Sequence, residues 1–176
     1  IPSEEKVYAL AGFVKPLGVV IDLGQPMIPR LFNRLLDGAR ETDYEFMVQE
    51  AVLRTQSQAV YDPENIGHFG LNLSRYAHFT SPIRRYADLI VHRALIRALK
   101  FGNDGLPDNQ IESLDETAVH ISATERRAML AERSAKERYL SAFMSARIGD
   151  EFAGHITGVT KSGLFIRLDE TGAEGF

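Results

Sequence analysis

Two adjacent arginines, Arg84 and Arg85, follow Thr80, Ser81 and Pro82 in the sequence YAHFTSPIRRYADLIVHR. A hydroxyl residue can cap the free N–H groups at the start of a helix, and proline suits the first helical position. The stretch therefore predicts a helix that begins at the TSP triplet and carries both arginines in its first turn. Free N–H groups, two hydroxyls and two planar guanidinium groups together favour the binding of a phosphodiester.

Asp88 offers a different explanation for the two arginines, because it lies at helical spacing from both. Cations are disfavoured at a helix N-terminus, so some negative group should offset them. The spacing favours an ion pair with Asp88 for Arg85 and a phosphate contact for Arg84, which is nearer the cap. Asp88 and His92 can also bind a metal as an i, i+4 pair, but such a pair more often holds a structural imidazole, and no third ligand follows.

Histidines and aromatic residues surround the arginines. His68 and His78 can face the same anion, and buried or capping roles fit them equally well. Tyr76, Phe79 and Tyr86 suit the stacking of unpaired bases. Aromatic residues at this spacing belong more often to a core, so both interpretations stay open.

The bulk composition is that of a globular protein, with 176 residues of which 44% are hydrophobic and 25% charged. The net charge of −4 argues against a uniformly basic surface, yet residues 71–100 carry six Lys or Arg side chains against one acid. The absence of cysteine excludes a thiol nucleophile, a disulfide and a cysteine-bound zinc. No apolar run approaches the roughly 18 residues of a membrane span. We expect a cytoplasmic protein without membrane association.

Apolar spacing predicts a largely helical chain with a short β-segment near its middle. The expected helices run from Ser3 to a stop at Pro16 and Gly18, around residues 31–36, from a TDYE capping box at 42–45 to about residue 58, from the TSP triplet to Gly102, and over 111–147. A turn-rich connection, GQPMIP, joins the first two. Val48, Val52 and Leu53 are core candidates. Residues 59–71 predict a short strand pair with a loop.

The C-terminal part changes character after Gly149. Alternating apolar residues, frequent glycine and a turn at Lys161–Gly163 predict the first strands of a separate β-barrel, too short here for a five-stranded OB barrel. Glu132 is the one acid in a helical stripe of mostly small residues. It can point inward and orient a water or a ribose hydroxyl, or it can pair with Arg133 or a neighbouring helix. The sequence predicts domains at 1–148 and 149–176.

The stretch GHFGLNLSRYAHFTSPIRRYADLIVHR resembles the signature of the RNB family of exoribonucleases, and QAVYDPENIGHFGL is most similar to its RNase R branch. The end, GHITGVTKSGLFIRL, is similar to the opening of an OB-fold RNA-binding domain of the ribosomal protein S-one type. The resemblance implies an α+β fold, with a mostly helical C-terminal portion of an RNB catalytic domain, a short strand pair, and the first strands of an OB-fold barrel.

The resemblance also implies processive hydrolysis of single-stranded RNA from its 3′ end to nucleoside 5′-monophosphates, with Mg²⁺. By position, Arg84 matches the family arginine at the scissile phosphate and Glu132 a glutamate near the last nucleotides; these are the expected catalytic residues. The candidate RNA or phosphate contacts are Thr80, Ser81, Arg85, Tyr76, His78 and His68.

The family's metal-binding aspartates, tyrosine clamp and cold-shock domains have no counterpart in this sequence. We therefore expect Mg²⁺ only in an intact enzyme, no metal bound by this chain, and a monomer that is inactive alone. A non-catalytic RNA-binding relative is the alternative. A DNA-binding domain is less favoured, because groove-reading helices spread their base contacts over several turns.

Overall fold

The computed structural model describes residues 1–23, 28–160 and 162–176. Most of the predicted GQPMIP connection, and Lys161 of the predicted C-terminal turn, lie outside these residues. The chain forms two compact units, residues 1–124 and 125–176. The domain boundary between residues 148 and 149 stays a prediction.

The helices of the described residues account for most of the regular structure. They are α1 (Glu4–Val14), α2 (Pro29–Ala39), α3 (Glu45–Thr55), α4 (Tyr86–Leu99), α5 (Asp108–Glu112) and α6 (Leu114–Ser145). Short 3₁₀ turns cover Lys15–Leu17 and Phe69–Leu71. The long helix predicted over 111–147 is thus interrupted at Ser113. No helix in the described part of the chain is both long and apolar enough to cross a membrane.

The core of the first unit lies between α1, α2 and α3. The predicted face of α1 is confirmed, since Val7, Leu10 and Val14 are buried, and Gly18 closes the segment with a positive φ of 78°. The buried cluster consists of Leu10, Val14, Ile21, Phe32, Leu35, Ala39, Val48 and Val52. Each fully buried aliphatic side chain of this kind stabilises the fold by about 1.5–3 kcal/mol.

The start of α3 differs from the predicted capping box. The Thr42 hydroxyl donates to the Ala39 carbonyl oxygen, 2.5 Å away, at the end of α2, and so does not cap α3. The Glu45 carboxylate accepts from the Glu41 N–H at 2.8 Å. A last-turn carbonyl that lacks an intrahelical donor takes the hydroxyl instead. The prediction that Leu53 belongs to the core is wrong, because its side chain is 72% exposed.

The short strand pair predicted for residues 59–71 does not form: the segment has no strand, and its one β-bridge joins His68 to Leu73, beyond the predicted range. The backbone turns sharply at Gly67, whose φ is 79°. A Cβ at position 67 would overlap the carbonyl oxygens of Leu73 and Ser74. The close approach of the two backbone segments therefore requires glycine at this position.

The start of α4 also differs from the prediction. The helix begins at Tyr86 with Arg85 as its N-cap, and no side chain caps it. Residues 82–84 form a turn in which the N–H groups of Arg84 and Arg85 donate to the Ser81 carbonyl oxygen at 3.2 and 3.0 Å. The predicted caps, Thr80 and Ser81, thus lie before this turn and outside the helix.

The second unit combines the end of α6 with a three-stranded antiparallel sheet. Its strands are β1 (Gly154–Thr160), β2 (Gly163–Leu168) and β3 (Glu174–Gly175), paired in that order. The register shifts by one residue between Ile156 and Gly158, which marks a β-bulge. The α+β class is confirmed, and the assignment of these strands to the start of an OB barrel stays a prediction.

Candidate functional site

The site is organised around Asp88, a fully buried carboxylate in the first turn of α4. Its Oδ1 accepts hydrogen bonds from the Ser81 N–H at 2.7 Å and from Arg85 Nη2 at 3.0 Å. Its Oδ2 lies 2.9 Å from Arg85 Nε and 3.8 Å from His78 Nδ1. Asp88 therefore joins the two ends of the Ser81–Arg85 turn, and the favoured pairing of Arg85 with Asp88 is confirmed.

Arg84 occupies a different environment from its neighbour. Its side chain is exposed, and its one side-chain hydrogen bond to another described residue runs from Nη2 to the Ser81 Oγ at 3.5 Å. Within the described residues no carboxylate lies at ion-pair distance from Arg84. The adjacent Ile83 is completely exposed. The turn thus presents one guanidinium group to solvent while its partner arginine is neutralised.

The ionisation of Asp88 reflects a balance between burial and its partners. Burial acts to raise its pKa, but the Ser81 N–H, the Arg85 hydrogen bond and the charges of Arg85 and His78 outweigh burial. The pKa of Asp88 is therefore lowered from its ordinary value of 3.8. At neutral pH Asp88 is therefore an ionised carboxylate, paired with the guanidinium group of Arg85.

Four aromatic or imidazole rings contact one another edge to face, and one of them, His78, lies beside this carboxylate. His78 contacts Tyr61 and Tyr76 at centroid distances of 5.4 and 5.6 Å, and Tyr76 contacts His68 at 5.0 Å. The His68 Nδ1 accepts the Leu71 N–H, so His68 caps the 3₁₀ turn. The structure thus brings three predicted contacts, His68, Tyr76 and His78, into one row; their binding of RNA stays a prediction.

His92 is committed to the loop before the turn. Its Nε2–H donates to the Phe79 carbonyl oxygen at 2.7 Å, and its ring lies against the Phe79 ring with centroids 4.4 Å apart. Because Asp88 binds Ser81 and Arg85 instead, the two residues do not form a metal-binding pair. Thr80, a predicted RNA contact, is exposed in this loop.

Two arginines within α4 hold the segment that follows the helix. Arg93 donates to the Gln110 amide oxygen at 2.6 Å, and Arg97 donates to the Leu106 carbonyl oxygen at 2.7 Å and pairs with Asp108 at 2.5 Å. Of the six cations between residues 71 and 100, Arg85 and Arg97 are therefore paired with carboxylates, and Arg93 is bound to a side-chain amide. Fewer cations are available to an anionic ligand than the sequence suggests.

Glu132 belongs to the second unit and lies on an exposed face of α6. It pairs with Lys136 at 2.7 Å, and Arg133 pairs with Glu137 at the same distance, so the proposed Glu132–Arg133 pair does not form. The hydrogen bond and charge of Lys136 lower the pKa of Glu132. The carboxylate lines an open depression of about 340 Å³, bordered by Met129, Arg133, Lys136, Glu137 and Leu140.

Comparison with known proteins gives the same family for the segment that contains the turn. A model described as RNB domain matches residues 2–100. The chain belongs to the RNB-domain family.

Similarity to RNB-family relatives extends along the whole chain. The chain is 41% identical over 174 residues to ribonuclease R of Aquifex aeolicus and 38% identical over 182 residues to ribonuclease R of Escherichia coli. These alignments cover 99% of this chain but only 24% and 22% of the relatives. The chain spans about a quarter of the length of the relatives it matches.

Solved structures give the same result for the fold of this RNB-family chain. The apo form of Mycoplasma genitalium RNase R has a TM-score of 0.87 and 30% identity, and the match covers 99% of this chain and 28% of that one. The same TM-score is obtained for that protein in complex with ribose methylated single-stranded RNA.

A metal site is not formed by the described residues of this RNB-family chain. Among them, no three His, Cys, Asp or Glu side chains are grouped so as to hold a metal ion. Asp88 and His92, the pair considered from the sequence, are engaged elsewhere. The donor set of the described residues therefore does not fit a divalent cation.

Sequence reasoning missed two residues that shape the site. Asn65 Oδ1 accepts the N–H groups of Gly67 and Tyr76 at 3.3 and 2.9 Å, which ties the row of rings to the preceding loop. The Tyr61 hydroxyl lies 3.4 Å from His78 Nδ1. The Asp62-Pro63-Glu64-Asn65 turn signal could have indicated Asn65, because Asn side chains bond to backbone N–H groups nearby. No local signal indicated Tyr61.

We expect acid to remove the stabilisation that Asp88 provides. Because the pKa of Asp88 in the folded chain lies below 3.8, the unfolded chain takes up more protons than the folded chain as pH falls. The stabilisation from Asp88 is therefore lost as the pH falls through the folded pKa. Asp88→Asn should cost about 2 kcal/mol at neutral pH, since it leaves the part-buried Arg85 without its counter-charge.

Urea unfolding of the chain and of Asp88→Asn, followed between about pH 3 and pH 7, measures this effect. The difference in unfolding free energy should shrink as pH falls. Asp43→Asn, at an exposed carboxylate, is the control. A difference that stays constant over the whole range would contradict the assignment.

Proposed function

We propose that this chain is part of an RNB-family exoribonuclease that hydrolyses RNA processively from the 3′ end to nucleoside 5′-monophosphates. The observation that carries the proposal is Arg84, which is exposed and without a carboxylate partner among the described residues, inside the segment that matches the RNB domain. A guanidinium group left without a counter-ion by the protein is suited to an anionic ligand.

Arg84 acts on the scissile phosphate in this proposal. Two N–H groups of one guanidinium can donate to two phosphoryl oxygens at once, which fixes both distance and orientation. Negative charge builds on these oxygens during in-line attack, so a donor already in place stabilises the transition state more than the substrate. The Ser81 hydroxyl, 3.5 Å from Arg84 Nη2, is a neutral partner and leaves the charge of the guanidinium group uncompensated.

The distribution of charge supports contact with one phosphate at the turn. Arg85 is paired with Asp88, and Arg93 and Arg97 are bonded to Gln110 and Asp108. Arg84 is therefore the cation of the Ser81–Arg85 turn that remains for RNA, and it defines where the phosphate binds.

Glu132 contributes to binding the terminal nucleotides in the same proposal. Lys136 keeps its pKa low, so the carboxylate is ionised at neutral pH and accepts hydrogen bonds. A ribose hydroxyl is a suitable donor. Its exposed position beside an open depression supports access to a ligand.

Mg²⁺ belongs to the intact enzyme in this proposal and would be held by residues outside this chain. When bound, it would supply charge neutralisation and an activated water. The residues of this chain bind and orient the phosphate. We further propose that the protein is a cytoplasmic monomer whose partner is single-stranded RNA.

A time course of 5′-labelled single-stranded RNA with Mg²⁺ tests the proposal in the longer protein that contains this chain. We expect the 5′ label to pass from full-length RNA to short end products with few intermediates, as processive hydrolysis from the 3′ end requires, with nucleoside 5′-monophosphates as the other product. Duplex DNA at the same salt is the control, because phosphate contacts alone would bind both. RNA that is bound but never shortened would instead identify a non-catalytic relative.

A further inference from the structure

We propose that Asp88 is a positioning residue, which sets the location of the Arg84 guanidinium by clamping both ends of the turn that carries it. This inference rests on the proposed function of Arg84 and adds a residue that touches no substrate. Asp88 is fully buried, so its effect on the reaction must pass through the residues that it holds.

The clamp begins at the first residue of the turn. The Ser81 N–H donates to Asp88 Oδ1 at 2.7 Å, a bond across seven residues of sequence. In a capping box, an acid in the first helical turn accepts an N–H at the N-cap. Here the acid in the first turn of α4 reaches past the N-cap, Arg85, to an N–H four residues earlier.

The same carboxylate holds the last residue of the turn. Arg85 Nη2 donates to Oδ1 at 3.0 Å, and Arg85 Nε lies 2.9 Å from Oδ2. The backbone between these anchors is closed by two further bonds, from the N–H groups of Arg84 and Arg85 to the Ser81 carbonyl oxygen. The Cα of Arg84 is thus fixed from both sides.

The Arg84 side chain, by contrast, has little to hold it. Among the described residues its one polar contact is the 3.5 Å hydrogen bond to the Ser81 Oγ, and neighbouring Ile83 is fully exposed. The position of the guanidinium therefore depends on the backbone of the turn. A small shift at a group that must meet a transition state lowers turnover strongly, while binding spread over a long RNA changes little.

A double-mutant cycle in the longer protein tests the inference with Asp88→Asn, Arg84→Ala and the double variant. Asp88→Asn should lower kcat by about 10-fold or more, with KM and RNA affinity changed by less than about 3-fold. In the Arg84→Ala background, Asp88→Asn should change kcat by less than about 2-fold, because residues that act as a unit are not additive.

Val48→Ala is the matched control, since Val48 is equally buried in the core of the same unit. It should lower the melting temperature without changing kcat of the folded protein. Arg85→Lys, which keeps the charge but not the fork, serves if Asp88→Asn does not fold, and it should lower kcat in the same non-additive way.

The outcomes separate the two proposals. If the losses of kcat from Asp88→Asn and Arg84→Ala multiply in the double variant, the positioning role of Asp88 is overturned. The function proposed for Arg84 is then unaffected. An unchanged kcat in Arg84→Ala would instead contradict the function proposed for Arg84. Equal losses of kcat in Val48→Ala and Asp88→Asn would reduce Asp88 to a stabilising residue.

Discussion

Arg84→Ala, made in the longer protein that contains this chain, should lower the rate of nucleotide release by about 100-fold or more while RNA affinity changes by less than about 5-fold. Loss of a single preorganised donor to a developing oxyanion costs about 100- to 1,000-fold in turnover. Affinity for single-stranded RNA is shared among many backbone and stacking contacts, so one arginine contributes little to it.

Single-turnover assays with the enzyme in excess measure this rate without a contribution from product release. Arg75→Ala is the matched control, because Arg75 is an exposed cation that also lies among the basic residues of 71–100 but outside the Ser81–Arg85 turn. Arg84→Lys should recover part of the rate, since it restores the charge and not the paired donors. If Arg75→Ala and Arg84→Ala slow release equally, general electrostatics explain the effect.

The isolated chain should release no mononucleotide from RNA in Mg²⁺ under conditions in which the longer protein degrades its substrate completely. Hydrolysis of a phosphodiester at neutral pH needs charge neutralisation and an activated water, which metal ions supply in enzymes of this kind. Among the described residues of the chain, no three His, Cys, Asp or Glu side chains lie close enough together to hold a metal ion. Arg84 alone can stabilise charge but cannot generate the nucleophile.

The assay compares equal concentrations of the chain and the longer protein over the same time course, with Arg84→Ala of the chain as a contamination control. Mononucleotide released by both forms of the chain would indicate a contaminating nuclease. Release by the chain that Arg84→Ala abolishes would contradict the prediction and would require a metal site within this sequence.

The helical part of the fold was predictable where one face of a helix supplies the core. Val7, Leu10 and Val14 recur at helical spacing and are buried together, and the pattern of α6 gave its approximate extent. The errors occur at helix ends, where partners distant in sequence decide. Thr42 donates to Ala39 at the end of α2, which the four letters TDYE do not indicate.

The site was predictable in its residue types and not in its geometry. The competing roles of Arg84 and Arg85 followed from spacing, and the structure places Arg85 on Asp88. The start of α4 was misplaced because Ser81, Pro82 and their neighbours carry strong local helix signals. A buried carboxylate that accepts the Ser81 N–H overrides them, and burial is a property of the whole unit.

The hydrogen bond from the Ser81 N–H to the buried Asp88 lets amide hydrogen exchange report on the opening of this turn alone. The Ser81 amide, whose nitrogen lies 2.7 Å from an oxygen of the buried carboxylate, exchanges only when the clamp opens, whereas core amides in α3, which carries the buried Val48, exchange on wider unfolding. Comparing the two rates would give the free energy of opening this turn separately from that of the whole unit. The mobility of the Arg84 backbone could then be measured without RNA, metal or turnover.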